Sequence, residues 1–162
     1  MLSVTENGDL AYIYTPYNPR FVAAVKKISG ARWVPKEKAW CVGIQSLDHV
    51  REIMYDIYGE TDLEQAEMKT LKIRILKKAE TLRGPVTLAG RVLARAFNRD
   101  SGAIIGEDCE LNKGEIRSGG SIINWTTVIE EGSVIFMRNV PENLIGKIRK
   151  EGSEWVRIEQ IE

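Results

Sequence analysis

Aromatic and basic side chains are interleaved between residues 11 and 40, a combination that suits nucleic-acid binding. Lysine and arginine neutralise phosphates, and flat rings stack on bases or cover sugars. The stretch has six basic residues and one acid. Its six rings are Tyr12, Tyr14, Tyr17, Phe21, Trp33 and Trp40. We expect Phe21, Trp33 and Trp40 to lie in the core of a small unit, where large rings are often needed. Stacking on bases is the alternative for the two tryptophans.

A second basic stretch runs from Lys69 to Arg99, with nine basic residues and one acid, a net charge of +8. From Asp100 onward the chain has seven basic and twelve acidic residues, a net charge of −5. Such localised charge favours a charged partner. The alternative is that folding spreads these charges over opposite strand faces, where each is solvated. We therefore predict a second nucleic-acid surface, made of Lys72, Arg74, Lys77, Lys78, Arg91, Arg95 and Arg99.

Residues for catalysis or metal binding are sparse. The acids that cluster in sequence are Asp100, Glu107, Asp108 and Glu110. Two-metal nucleases gather acids of this kind, but the spacing matches no nuclease motif, and we expect a solvated loop. The one histidine, His49, falls on a predicted helix face. Cys41 and Cys109 form no CxxC pair, and no Walker A motif occurs. The sequence therefore predicts no catalytic residue, no metal and no cofactor.

The first 60 residues are predicted to form a small α/β domain. Residues 10–15 read as a strand, and Asn18 followed by Pro19 marks a helix start that runs to Gly30. Residues 31–34 and 39–43 read as two strands around a four-residue loop. A second helix begins after Ser46 and stops at Gly59. The predicted order is strand–helix–strand–strand–helix.

The rest of the chain is predicted to be rich in strands. Residues 61–69 are a linker, in which Thr61 and Glu64 match a capping box and favour a short helix. From residue 70 to 162, turn signals recur about every ten residues, which is typical of a mainly antiparallel sandwich or small barrel. One short helix is expected within 141–152. The fold class is therefore α+β. The chain carries no apolar run long enough for a membrane span and no signal-peptide pattern, so we expect a cytoplasmic location.

A family resemblance rests on the stretch "YIYTPYNPRFVAAVKKISGARWVPKEKAWCVG" and the helix that follows it, ending "YG". These residues resemble the HARP domain, which flanks the motor of annealing helicases, and a related module in short proteins of phages and mobile elements. The resemblance covers about residues 10–59. It implies recognition of DNA, particularly at branched or single-strand/double-strand junctions. It also implies phosphate contacts by Lys26, Lys27, Arg32, Lys36 and Lys38. The motor ATPase itself is missing from this chain.

The sequence thus favours a non-enzymatic accessory protein of phage or mobile-element type that binds DNA or RNA through basic surfaces. One alternative is an inhibitor, similar in role to an anti-CRISPR protein, that blocks a host protein–nucleic acid complex. A second alternative is a metal-dependent nuclease. Oligomeric state is not assigned.

Overall fold

The computed structural model describes residues 2–162, and the chain divides into two compact units. Unit 1 is Met1–Glu67 and unit 2 is Met68–Glu162. Both contain antiparallel sheets and short helices, so the predicted α+β class, with mainly antiparallel β content, is confirmed. Among residues 2–162, every helix is too short or too polar to cross a bilayer.

Unit 1 is a four-stranded antiparallel sheet with two helices. Its elements are β1 (Ser3–Asn7), β2 (Leu10–Tyr14), α1 (Pro19–Val25), β3 (Arg32–Val34), β4 (Ala39–Gly43), a 3-10 turn (Ile44–Ser46) and α2 (Leu47–Tyr58). The strand order is β1-β2-β4-β3, which leaves β3 at one edge. The predicted order of elements from residue 10 to 59 is therefore confirmed.

Local chemistry explains where the two helices of unit 1 begin and end. The Asn18 side chain accepts a hydrogen bond from the Arg20 amide at 2.9 Å, and Pro19 occupies the first helical position of α1. α1 ends at Val25, earlier than the predicted Gly30. α2 ends at Gly59, whose φ of +75° is the left-handed conformation that glycine adopts readily.

The sequence pattern missed β1. Its residues are mostly polar and exposed, and only Val4 packs against the core. An edge strand of this composition gives little hydrophobic periodicity. Gly8, with a φ of +63°, starts the two-residue turn that pairs Asn7 with Leu10.

The core of unit 1 lies between the sheet and the two helices. Alternate residues of β2 and β4 face the same way, and Ala11 pairs with Val42 while Ile13 pairs with Trp40. The buried side chains of this core are Ala11, Ile13, Phe21, Val25, Trp40, Val42, Leu47, Val50 and Met54. Because every one of these residues is at most 8% exposed, α1 and the hairpin are fixed relative to each other.

Unit 2 contains three antiparallel sheets and one helix. Its elements are β5 (Met68–Ile75), β6 (Ala79–Leu82), β7 (Val86–Leu88), β8 (Arg91–Ala96), β9 (Ala103–Ile105), β10 (Cys109–Lys113), β11 (Ile116–Gly120), β12 (Trp125–Ile129), β13 (Val134–Pro141), a 3-10 turn (Glu142–Leu144), α3 (Ile145–Glu151) and β14 (Val156–Ile161). The sheet orders are β10-β13-β5-β14, β11-β12-β6 and β7-β8-β9. In β5, Leu71, Ile73 and Ile75 are fully buried, as their period of two predicts.

The structure differs from the sequence prediction at two further places. No helix forms in residues 61–67, although the Thr61 hydroxyl accepts hydrogen bonds from the Leu63 and Glu64 amides as a cap does. Leu63 stays exposed, so this segment has no packed face to stabilise a helix. Of the acids expected in a loop, Asp100, Glu107 and Asp108 lie in bends or turns as predicted, whereas Glu110 lies in β10, which begins at Cys109.

Candidate functional site

A pocket of about 210 Å³ opens in unit 1 between the start of α1 and the β3–β4 hairpin. Aromatic and aliphatic side chains form most of its wall, namely Ile13, Tyr17, Phe21, Val22, Trp33 and Trp40. Three polar residues complete the lining: Thr15, Asn18 and Lys38. No aspartate or glutamate lines the pocket, so its only formal charge is the positive charge of Lys38.

The two tryptophans have different roles in this pocket. Trp33 and Trp40 pair directly across β3 and β4, with ring centroids 5.7 Å apart and planes at 64°. Trp40 is 8% exposed and belongs to the core, as expected, whereas Trp33 is 48% exposed, and its expected place in the core is wrong. Trp33 lies on an edge strand, where a ring has a neighbouring strand on one side only. Its free face therefore belongs to the pocket wall.

The loop before α1 is held in place by α2. The Tyr58 hydroxyl donates a hydrogen bond to the Pro16 carbonyl oxygen at 2.6 Å, and the Tyr58 ring lies 5.6 Å from the Phe21 ring. Burial raises the pKa of Tyr58 to about 12, so the hydroxyl keeps its proton and remains a donor at neutral pH. Tyr17, next to this anchor, is 81% exposed and lines the pocket.

Lys38 closes the turn between β3 and β4 in a strained conformation. The amides of Glu37 and Lys38 donate to the carbonyls of Val34 and Pro35, both at 3.2 Å. Lys38 then adopts a φ of +54°, which costs a non-glycine residue roughly 1–2 kcal/mol. This left-handed residue leads directly into β4, and its side chain contributes to the pocket wall.

The five basic residues predicted in unit 1 remain free to bind an anion. Lys26, Lys27, Arg32, Lys36 and Lys38 are all exposed, and none forms an ion pair within residues 2–162. Lys26 follows the pocket residue Val22 by four positions, so both lie on one face of the helical turn. Arg32 precedes Trp33 on β3 and therefore points to the opposite face of the sheet. The structure thus places Lys38 in the pocket wall and Lys26 on the Val22 side of its helical turn, and it separates Arg32 from them.

The second predicted surface, in unit 2, is largely occupied by internal partners. Arg74 pairs with Glu159 at 3.1 Å, Lys78 with Glu80 at 3.7 Å and Arg99 with Asp100 at 2.9 Å. Arg91 donates to the carbonyls of Arg138 and Asn139, and burial lowers its pKa from the usual value. Arg95 lies 6.0 Å from the Phe97 ring centroid. Only Lys72, Lys77 and Arg95 of the seven have no acidic or carbonyl partner in the described chain.

The acids considered for metal binding also have partners. Asp100 pairs with Arg99 at 2.9 Å, Asp108 accepts from the Asn139 side chain at 3.1 Å, and Glu110 pairs with Arg138. Within residues 2–162, no group of three or more histidine, cysteine or acidic residues is arranged to hold a metal ion. Asp100 and Glu110 therefore act as counter-ions for arginines in this fold.

The histidine and the cysteines show no feature of a catalytic group. His49 lies on the exposed side of α2, 3.5 Å from Glu52, as its helical pattern predicts. Both cysteines are free thiols. Burial raises the pKa of Cys109 to about 11, which keeps it in the unreactive thiol form at neutral pH.

Thr15 and Asn18 were not recognised as pocket residues from the sequence, although Asn18 was identified as a helix cap. The sequence feature that could have indicated these pocket residues is the pair of prolines at positions 16 and 19, which fixes a short loop around Tyr17. Comparison of the chain with protein-family models, with curated proteins and with solved structures finds no match.

Proposed function

We propose that this chain is a non-enzymatic nucleic-acid-binding protein that contacts the phosphate backbone of DNA or RNA through unit 1. The observation that carries the proposal is the set of exposed cations Lys26, Lys27, Arg32, Lys36 and Lys38, which are unpaired within residues 2–162 and of which Lys38 lines an aromatic pocket. A cation without an internal partner keeps its full charge for an external anion. Glu37 is the only acid between Ala11 and Trp40, so the stretch that carries these cations has a net charge of +5.

The contrast between the two units supports this location. In unit 2, Arg74, Lys78 and Arg99 already pair with carboxylates, and rebinding them to phosphate requires breaking those contacts. In unit 1 no such exchange is needed. Phosphate neutralisation with release of condensed counterions supplies most of the affinity in sequence-independent binding. Unit 1 is therefore the principal binding region, with Lys72, Lys77 and Arg95 of unit 2 available as additional contacts.

The resemblance of residues 10–59 to the HARP domain points to the same surface. It associates the helix and hairpin of unit 1 with DNA, and the free cations lie on those two elements. On this basis we also propose that the chain is an accessory protein of phage or mobile-element type.

A salt-dependent binding assay tests the proposal. Fluorescence anisotropy with labelled single-stranded DNA, duplex DNA, forked DNA and single-stranded RNA is recorded between about 50 and 200 mM salt. Four lysine–phosphate contacts predict a slope of log K against log salt of about −3, because each contact contributes roughly −0.7 to −0.9. No detectable binding to any of these at the lowest salt overturns the proposal.

Charge-reversal variants locate the surface. Lys36→Glu with Lys38→Glu is expected to reduce the magnitude of the slope by about 1.5, since two phosphate contacts are lost. The matched control is Lys113→Glu with Lys150→Glu, which changes the net charge equally at two exposed residues of unit 2. Equal losses of affinity in both double variants show that total charge, and not unit 1, controls binding.

A further inference from the structure

We infer that the aromatic pocket of unit 1 receives one unstacked nucleobase of the bound nucleic acid. This inference rests on the proposed function and specifies what the pocket adds to it. Backbone contacts by lysines need no pocket at all. An apolar cavity beside the free cations is therefore a second feature, with its own ligand chemistry.

The size and walls of the pocket fit a single ring system. Its volume of about 210 Å³ is below the roughly 300–1,000 Å³ typical for drug-sized ligands. Trp33 offers a half-exposed ring, and Tyr17 offers a ring that is almost fully exposed. The edge-to-face contact with Trp40 orients the Trp33 ring before any ligand arrives. A planar base is the part of a nucleic acid that gains most from such surfaces.

The polar atoms of the pocket complement the edge of a base. The Asn18 Oδ1 atom is used by the Arg20 amide, which leaves the Nδ2 amide as a donor without a partner in the described chain. Lys38 contributes an ammonium donor, and Thr15 a hydroxyl. Base edges present carbonyl oxygens and ring nitrogens as acceptors. We therefore expect the donor groups of the pocket wall to hydrogen-bond with acceptor atoms on the edge of the base.

Charge distinguishes a base from the other common occupants of aromatic pockets. Aromatic cages for methylated lysine or choline attract a cation, but Lys38 repels one and no carboxylate lines this pocket. Proline-rich peptides also dock on tryptophan and tyrosine, yet they bring no negative charge for the free lysines. A base carries its own phosphate, which the Lys38 and Lys36 side chains can reach from the turn beside the pocket mouth. Charge complementarity therefore favours the nucleotide.

The test compares two strands that differ only in their bases. A labelled single-stranded oligonucleotide and an abasic strand with the same sugar–phosphate charge are titrated with the full chain at equal salt. Base stacking on aromatic side chains predicts that the abasic strand binds roughly 5- to 150-fold more weakly. Tyr17→Ala is expected to remove most of this difference while leaving the affinity for the abasic strand unchanged. Tyr17→Phe, which keeps the ring, is expected to retain it.

Controls separate failure of the pocket from failure of binding. Tyr55→Ala removes a partly exposed ring from α2 outside the pocket, and it is expected to preserve the preference for bases. If both strands bind equally with the same salt slope, the base pocket is refuted and the backbone interaction stands. If neither strand binds at low salt, the base pocket and the proposed nucleic-acid binding are both refuted. A preference for bases that survives both Tyr17→Ala and Trp33→Ala places base recognition elsewhere and also overturns the inference.

Discussion

Truncating Trp40 should destabilise unit 1 strongly, whereas truncating its neighbour Trp33 should destabilise it only modestly. Trp40 is 8% exposed and lies within the core, so Trp40→Ala removes a fully buried ring, which typically costs about 3–5 kcal/mol. Trp33 is half exposed and buries roughly 100 Å² at most, so Trp33→Ala costs about 2 kcal/mol. Both variants lose the same edge-to-face contact, which therefore cancels in the comparison.

The size of unit 1 makes this difference decisive. A unit of 67 residues has a free energy of unfolding of roughly 3–10 kcal/mol. Losing about 3–5 kcal/mol removes about a third or more of this free energy in Trp40→Ala, while Trp33→Ala has the smaller loss of about 2 kcal/mol. With a urea m-value of roughly 1–3 kcal/mol/M, the midpoints of the two variants should differ by about 1 M.

Hydrogen exchange measured by mass spectrometry tests this prediction, because the protection of peptides from unit 1 and from unit 2 is observed separately. Trp40→Ala should sharply reduce protection in β2, α1 and α2 and leave the strands of unit 2 protected. Trp33→Ala should keep protection in both units. Equal destabilisation by the two substitutions would refute the reasoning that β3 holds its tryptophan at the surface.

Further outcomes test the stability of each unit. Unit 1 should lose stability as pH rises from about 10 toward 12, because the folded state binds the Tyr58 proton more tightly than the unfolded chain. Tyr58→Phe should flatten this alkaline loss in a urea titration series. In unit 2, Gly106→Ala should lower the free energy of unfolding by at least 1–3 kcal/mol, since its Cβ would lie 1.8 Å from the Val92 carbonyl oxygen. Gly146→Ala, a helical position with open space around it, should instead stabilise by about 1 kcal/mol, measured by urea unfolding.

Local signals in the sequence were sufficient for most elements. The Asn18–Pro19 pair and Gly59 mark helix ends through interactions with their immediate neighbours, and the period of two at Leu71, Ile73 and Ile75 identifies a strand that is buried on one face. The exceptions are elements whose existence depends on a partner. β1 is polar and persists because β2 supplies its hydrogen bonds, and the cap at Thr61 starts no helix because nothing packs on Leu63.

Charge patterns proved less reliable than hydrophobic ones. The sequence has a net charge of +8 between Lys69 and Arg99. In the fold, however, β14 pairs with β5 and places Glu159 against Arg74, 85 residues away in sequence. The basic run and the acidic tail therefore neutralise each other in part. The five exposed cations Lys26, Lys27, Arg32, Lys36 and Lys38 have no such partner within residues 2–162. This difference could not be read from composition because it depends on long-range strand pairing.

The sequence by itself determined the identity of the site's parts: the aromatic residues, the lysines around the "PKEK" turn and the cap that starts α1. Those features depend on side-chain chemistry and on contacts within a few residues. Only the tertiary structure decided that Trp40 fills the core while Trp33 faces a pocket, and that Arg32 lies on the opposite face from Lys38. The physical reason is that exposure depends on which neighbours cover a residue. At the edge strand β3, strands and helices that are distant in sequence cover the residues on one side and leave the other side exposed to solvent.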